Sequence, residues 1–224
     1  MGLTIHYQLA ATGDEAHARK LVQQLAVRCR AAALNTTRGY PPMTEQEFRV
    51  VYPLIAGWIE KTLAEHAPAA KPVASLGFSR LQDYYDAPLL ASTKAVVVSR
   101  VPMPPLSAMG LDRFRDFEQM DAGGITYLDT YFARADRAHD ESLHFHELVH
   151  VIQWRLLGPE RFLALYADGL ERFGYRKSPL EAMAYRLQHR FQREAQPFGV
   201  EAACQRLIGD RASHEVKTAS RYRL

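Results

Sequence analysis

From Asp140 onward the chain keeps the helical period almost without a break, and inside that run His146 and His150 stand four residues apart. That spacing puts both imidazoles on one helix face, one turn apart. The neighbouring apolar residues Leu143, Leu148, Val149, Ile152 and Leu156 give the same helix a surface to bury. A helix with a paired polar face and an apolar face has to be fixed in a core. The pattern predicts helices at about 140–157, 159–173, 179–195 and 199–208, with Gly158-Pro159 and Gly174 as breaks.

The upstream half has a different texture. Leu3 to Leu9 alternates apolar and polar residues like a half-buried strand, and about 15–34 reads as a helix with Ala18, Leu21, Val22, Leu25 and Cys29 on one face. Asn35 to Pro42 is turn chemistry. Thr44 with Glu47 three residues later is a capping box for a second helix, which Pro53 is expected to kink or divide before it resumes through Trp58, Ile59 and Leu63. Pro68 to Pro72 reads as a connector. Lys94 to Val101 is the strongest strand candidate, and Ile125 to Phe132, after Gly123-Gly124, is the second. The expected fold class is therefore α+β: a small mixed sheet with a helix-rich C-terminal half (residues 71–224), preceded by a strand-helix-helix segment (residues 1–70) packed on it.

Composition narrows the function classes. With 47% hydrophobic and 24% charged residues the chain can build a core. A net charge of +3, spread along the sequence, gives no nucleic-acid groove; Arg211 to Arg223 reads as a solvated tail. No segment has the length of a membrane span and the start lacks the features of a secretory leader, so the expectation is a cytoplasmic protein without membrane or nucleic-acid partners. Cys29 and Cys204 make no disulfide framework and read as buried free thiols.

The chemistry concentrates in His146-Glu147-Leu148-Val149-His150. Two imidazoles one turn apart can converge on a cation, and Glu147 can lie beside it and take a proton from water that zinc has acidified. Such a five-residue pattern arises by chance in roughly 2% of chains of this composition, so the reading needs a further ligand. Glu181 supplies it. Ser178 and Pro179 open a helix whose first turn holds Glu181, and two histidines plus one carboxylate leave a position open for water on Zn2+. The other histidines fit less well. Glu141-x-x-His144 and Glu147-x-x-His150 both spell a di-iron unit, but on one helix instead of two. His189 reads as a surface residue.

The run from His146 to Trp154, then Leu157-Gly158-Pro159, Phe162-Leu163, Tyr166, Gly174-Tyr175 and Pro179-Leu180-Glu181, resembles the minimal gluzincin-type zinc peptidase domains. The resemblance covers roughly residues 90–195; the first 70 carry none. It implies a zincin-like fold, with Ile125, Tyr127 and Asp129 on an edge strand where a peptide pairs. It also implies that Tyr175 stands where lethal-factor-type zincins hold a catalytic tyrosine, with Tyr166 and Tyr185 as rivals. Tyr185, one turn after Glu181, is placed to orient a ligand instead. The expected activity is hydrolysis, of a peptide bond first. The alternatives are a small-molecule metallohydrolase and a zinc-containing scaffold without turnover.

Overall fold

The structure, a computed structural model, describes residues 42–194 and 196–209. The expected strand at 3–9, the helix at 15–34, Cys29 and the arginines from Arg211 on lie outside the described residues. Helix α1 (Glu45–His66) begins with the expected capping box: Thr44 N–H donates to the Glu47 carboxylate at 2.7 Å, and Glu47 N–H to the Thr44 hydroxyl at 3.2 Å. Pro53 does not divide it. A proline removes one helical bond, and burial of Val51, Ile55 and Ile59 along the same face outweighs that loss.

Four strands form one mixed sheet, in the order β1-β2-β4-β3. Strand β1 (Lys71–Pro72) falls inside the expected connector; it is a two-residue edge, where a proline costs no ladder bond in the sheet interior. Short helix α2 (Ala87–Ser92) precedes β2 (Lys94–Val98), which stops three residues short of the expected end. Short helix α3 (Arg115–Glu118) follows, in the segment that leads back to the sheet. The expected strand from Ile125 to Phe132 is instead a tight hairpin, β3 (Gly124–Tyr127) and β4 (Thr130–Arg134). Leu128 takes a left-handed φ of 59° at the turn. Without a glycine or asparagine there, the run gives no turn signal in the sequence. Strand β4 is parallel to β2 and antiparallel to β3, which leaves β3 at the sheet's edge.

Helix α4 (Glu141–Leu157) is capped by Asp140, whose carboxylate accepts from Ser142 and Leu143 N–H, and ends at Gly158, φ 75°. Helices α5 (Pro159–Phe173) and α6 (Pro179–Arg193) follow, and residues 200–209 are helical. Almost every side chain of α4 is buried, because two apolar clusters meet on it. Phe145, Leu148, Val149 and Ile152 pack with Met183, Leu187 and Phe191 of α6, and with Val200 and Cys204. Trp154 and Leu157 pack with Val51, Ile55 and Ile59 of α1, Phe132 and Phe162. A helix that is apolar nearly all round belongs in the middle of a molecule. Leu156, expected in the core, is 36% exposed. Burial pushes the Cys204 thiol up to about 12, so it is an inert core group. Among the described residues no helix is long and apolar enough to cross a membrane.

Candidate metal centre

His146 and His150 project from α4 with their Nε2 atoms 3.1 Å apart. Glu181, in the first turn of α6, brings Oε1 to 3.2 Å from His150 Nε2 and Oε2 to 3.4 Å from His146 Nε2. Donors roughly 2.0–2.1 Å from a tetrahedral zinc are about 3.3–3.4 Å from one another. The imidazole pair and the two imidazole–carboxylate contacts, each made by a different Glu181 oxygen, all fall near that separation, so the three side chains can share one cation. All three side chains are buried.

Whether these residues fit a cation is tested by their unused lone pairs. Glu181 Oε1 accepts from the Tyr166 hydroxyl at 2.7 Å, whereas Oε2 is buried without a hydrogen-bond partner. An unsatisfied buried carboxylate oxygen is costly, and a cation at the triad's centre satisfies it. The imidazoles are set for the same task. Gln153 Nε2 donates to Leu180 O (3.0 Å) and Gln188 Nε2 to Ser142 O (3.0 Å), so each glutamine turns its oxygen to a histidine. Gln153 Oε1 lies 2.8 Å from His150 Nδ1, and Gln188 Oε1 3.1 Å from His146 Nδ1. An amide oxygen only accepts, so both Nδ1 atoms carry a proton and both Nε2 atoms face the triad, free to hold either a proton or a cation.

The charges are coupled. Burial is the largest influence on Glu181 and pushes its pKa up, but the charge of His150 and contacts with both histidines outweigh it and hold the carboxyl well below the usual range. Burial likewise pulls His150 down, and the Glu181 charge reverses that and lifts it to about 9. Three donors this close need a shared positive charge, whether protons or a metal ion.

Glu147 stands beside the triad, not in it. Its Oε2 accepts from the Thr126 hydroxyl at 2.7 Å, and that hydroxyl also lies 3.2 Å from the Glu147 carbonyl. Burial raises its pKa above the ordinary carboxylate value, against the pull of His146 and His150. The carboxylate lies over Gly124, where a Cβ would come within 2.5 Å of Glu147 Oε1 and 3.1 Å of Phe132 O. Strand β3 is thus without a side chain at the one place where the carboxylate sits.

Three tyrosines surround the centre. Tyr166, weighed in sequence as an oxyanion donor, is bonded to Glu181, and so it takes the ligand-orienting position assigned to Tyr185. Tyr175 and Tyr185 are close enough for their hydroxyls to influence each other, and the Tyr185 ring centroid lies 4.6 Å from that of His146. Burial, then the Glu181 charge, raises the Tyr175 pKa far above the phenol value, so its hydroxyl keeps its proton.

The remaining candidates divide. Ile125 and Tyr127 line a cavity that opens on the triad, and the Tyr127 hydroxyl donates to Pro102 O at 2.8 Å. Asp129 is exposed in the hairpin turn, off the strand, where its carbonyl accepts from Lys94 N–H. Arg134 N–H bonds Gly123 O, so the antiparallel alternation turns the backbone groups of Gly124 and Thr126 to the open edge. There the Trp154 indole N–H already holds Thr126 O at 3.1 Å. His144 is buried away from the triad, against the Tyr131 hydroxyl (2.6 Å) and Ala138 O (2.9 Å), and His139 and His189 are exposed.

Thr126, Gly124, Gln153 and Gln188 contact the candidate site and were not assigned to it by sequence reasoning. Gln153, one turn after His150, was visible as a partner at helical spacing; Gln188 comes from another helix and was not. The cavity, of about 90 Å³, extends from Glu147, His150 and Glu181 to the apolar residues Leu106, Phe114, Phe117, Leu163 and Leu170. No protein-family model, curated protein or solved structure matches the chain.

Proposed function

We propose that the protein is a zinc-dependent hydrolase of the zincin type, acting on an amide bond. The observation that carries this is the buried triad of His146, His150 and Glu181, its nitrogen and oxygen contacts 3.1–3.4 Å, with Glu147 beside it and free of it. Zinc, when bound, supplies Lewis acidity that polarises a carbonyl and acidifies water. Glu147 takes the proton of the attacking water and hands it to the departing nitrogen; its raised pKa suits a group that must both accept and release. Thr126 fixes the second carboxylate oxygen, so the proton moves at Oε1. The Tyr175 hydroxyl donates to the carbonyl oxygen as charge gathers there. Water thus adds to the carbonyl carbon, the C–N bond breaks, and a carboxylate and an amine leave.

A compact substrate fits better than a long polypeptide, because the cavity beside Glu147 is small. Glu147→Gln tests the reaction: zinc content is expected to stay at the wild-type level, with kcat at least about 10²-fold lower. Unchanged turnover in that variant would remove Glu147 from the mechanism. Absence of turnover in both proteins across amide, ester and peptide panels would favour the zinc-containing scaffold.

A further inference from the structure

The cavity and the mouth of the site differ sharply in chemistry. Inside, Glu147, His150, Glu181, Thr126 and Tyr175 gather at the triad, the polar atoms of Tyr127, Trp154 and Tyr166 are already bonded to protein groups, and the remaining lining is apolar. At about 90 Å³ it is smaller than the roughly 150 Å³ apolar cavity that admits benzene. A branched aliphatic group fits a space of that size better than an aromatic ring. Such a group joined to a scissile amide would put the carbonyl at the polar end.

Outside, Tyr175 and Tyr185 form a boundary. Tyr175 lines the cavity, whereas Tyr185, its neighbour, does not. Arg176 lies over the Tyr185 ring, its guanidinium carbon 5.4 Å from the centroid. It is exposed and has no carboxylate partner among the described residues. The Tyr185 ring in turn packs on the ligand His146. A cation with free donors, held two ring contacts from the triad, is placed to meet an anion on the substrate's other side.

Resting on the hydrolase reading above, we propose that the substrate is a short peptide or acylated amino acid with an aliphatic group in the cavity and a free carboxylate paired with Arg176. The apolar end supplies burial, and the guanidinium fixes which amide lies over Glu147. Specificity thus comes from two residues' worth of substrate, one on each side of the Tyr175–Tyr185 pair.

The test uses zinc-loaded full-length protein and tripeptides carrying Ala, Leu or Trp, each as free acid and as amide. The Leu free acid is expected to have the highest kcat/KM, about tenfold above its amide. In Arg176→Ala that ratio should fall to near one, and Arg176→Lys should restore part of it. Ala167→Leu, which narrows the cavity, should move the preference from Leu to Ala. Calorimetric binding of the same peptides to the Glu147→Gln protein should follow the same order. Equal kcat/KM for acid and amide, or an acid-to-amide ratio unchanged in Arg176→Ala, overturns the proposal. So does a zinc-loaded Glu147→Gln protein that binds none of the peptides. Failure of the hydrolase reading itself is separate: it shows as no turnover of any peptide by the zinc-loaded wild type, while calorimetry still reads the preference for the Leu free acid and its loss in Arg176→Ala.

Discussion

Gly124 is the residue whose role is least visible from its type and most constrained by its surroundings. A methyl group there meets the Glu147 carboxylate and the backbone of Phe132 together, and backbone cannot move aside cheaply. Gly124→Ala is expected to displace Glu147 from Thr126 and lower kcat/KM about 10²-fold, the usual effect of shifting a reacting group by an ångström. Zinc content should be unaltered, since Gly124 touches no ligand; full activity would show that the cradle does not position Glu147. Gln153 and Gln188 have the opposite profile. Gln153→Leu and Gln188→Leu are each expected to weaken zinc binding by about 10–100-fold, measured by competition with a chromophoric chelator. Gln153 should matter more, because it also ties α4 to the Leu180 carbonyl of α6. Unchanged affinity in both would mean that the histidines need no orientation from their Nδ1 side.

At the scale of elements, the site depends on where α4 starts and on how closely α5 approaches α6. The Asp140 carboxylate caps α4; burial works to raise its pKa, but Arg137 and Ser142 outweigh it and leave it lowered. A lowered folded pKa gives stability that is fully present above the unfolded value, about 3.9, and lost as pH falls through the folded one. Asp140→Ala should therefore cost about 1 kcal/mol near pH 7, with wild type and variant converging at lower pH; a constant difference down to pH 2 would contradict this. Gly169 sets the second distance, since a Cβ there would lie 2.8 Å from Pro179 Cδ and 3.0 Å from Ser178 Cβ. Gly169→Ala is expected to destabilise by about 1–3 kcal/mol and to loosen zinc by moving Glu181. Gly57→Ala in α1, where nothing stands within 4 Å, should instead stabilise by about 0.5–1 kcal/mol. Thermal melts of the two variants should move in opposite directions.

The long helices and most of their ends were legible in sequence because caps and breaks carry local signals, Thr44 with Glu47, Asp140, Gly158-Pro159 and Gly174, whereas the short helices α2 and α3 were not expected. The hairpin was not legible, because Leu128-Asp129 turns without the residues that usually mark a turn. The His146, His150 and Glu181 set was legible because two of its members share one helix face and the third follows a helix start. Thr126 and Gln188 reach the site only through tertiary packing, from the hairpin and from α6, and no spacing along the chain encodes that.

For the whole molecule, one helix serves two purposes. Helix α4 runs between the two apolar clusters and carries both histidines and Glu147, so the core that stabilises the fold also fixes the site. Removing a bound metal should then lower the melting temperature, by an amount set by its free concentration and affinity. The central claim is that His146, His150 and Glu181 hold one zinc ion while Glu147 does not. The most direct measurement is the metal content of purified full-length protein and its single-site variants. About one zinc per chain is expected in the wild type and in Glu147→Gln, and almost none in His146→Ala and Glu181→Ala. Equal zinc in the wild type and in His146→Ala would contradict the account.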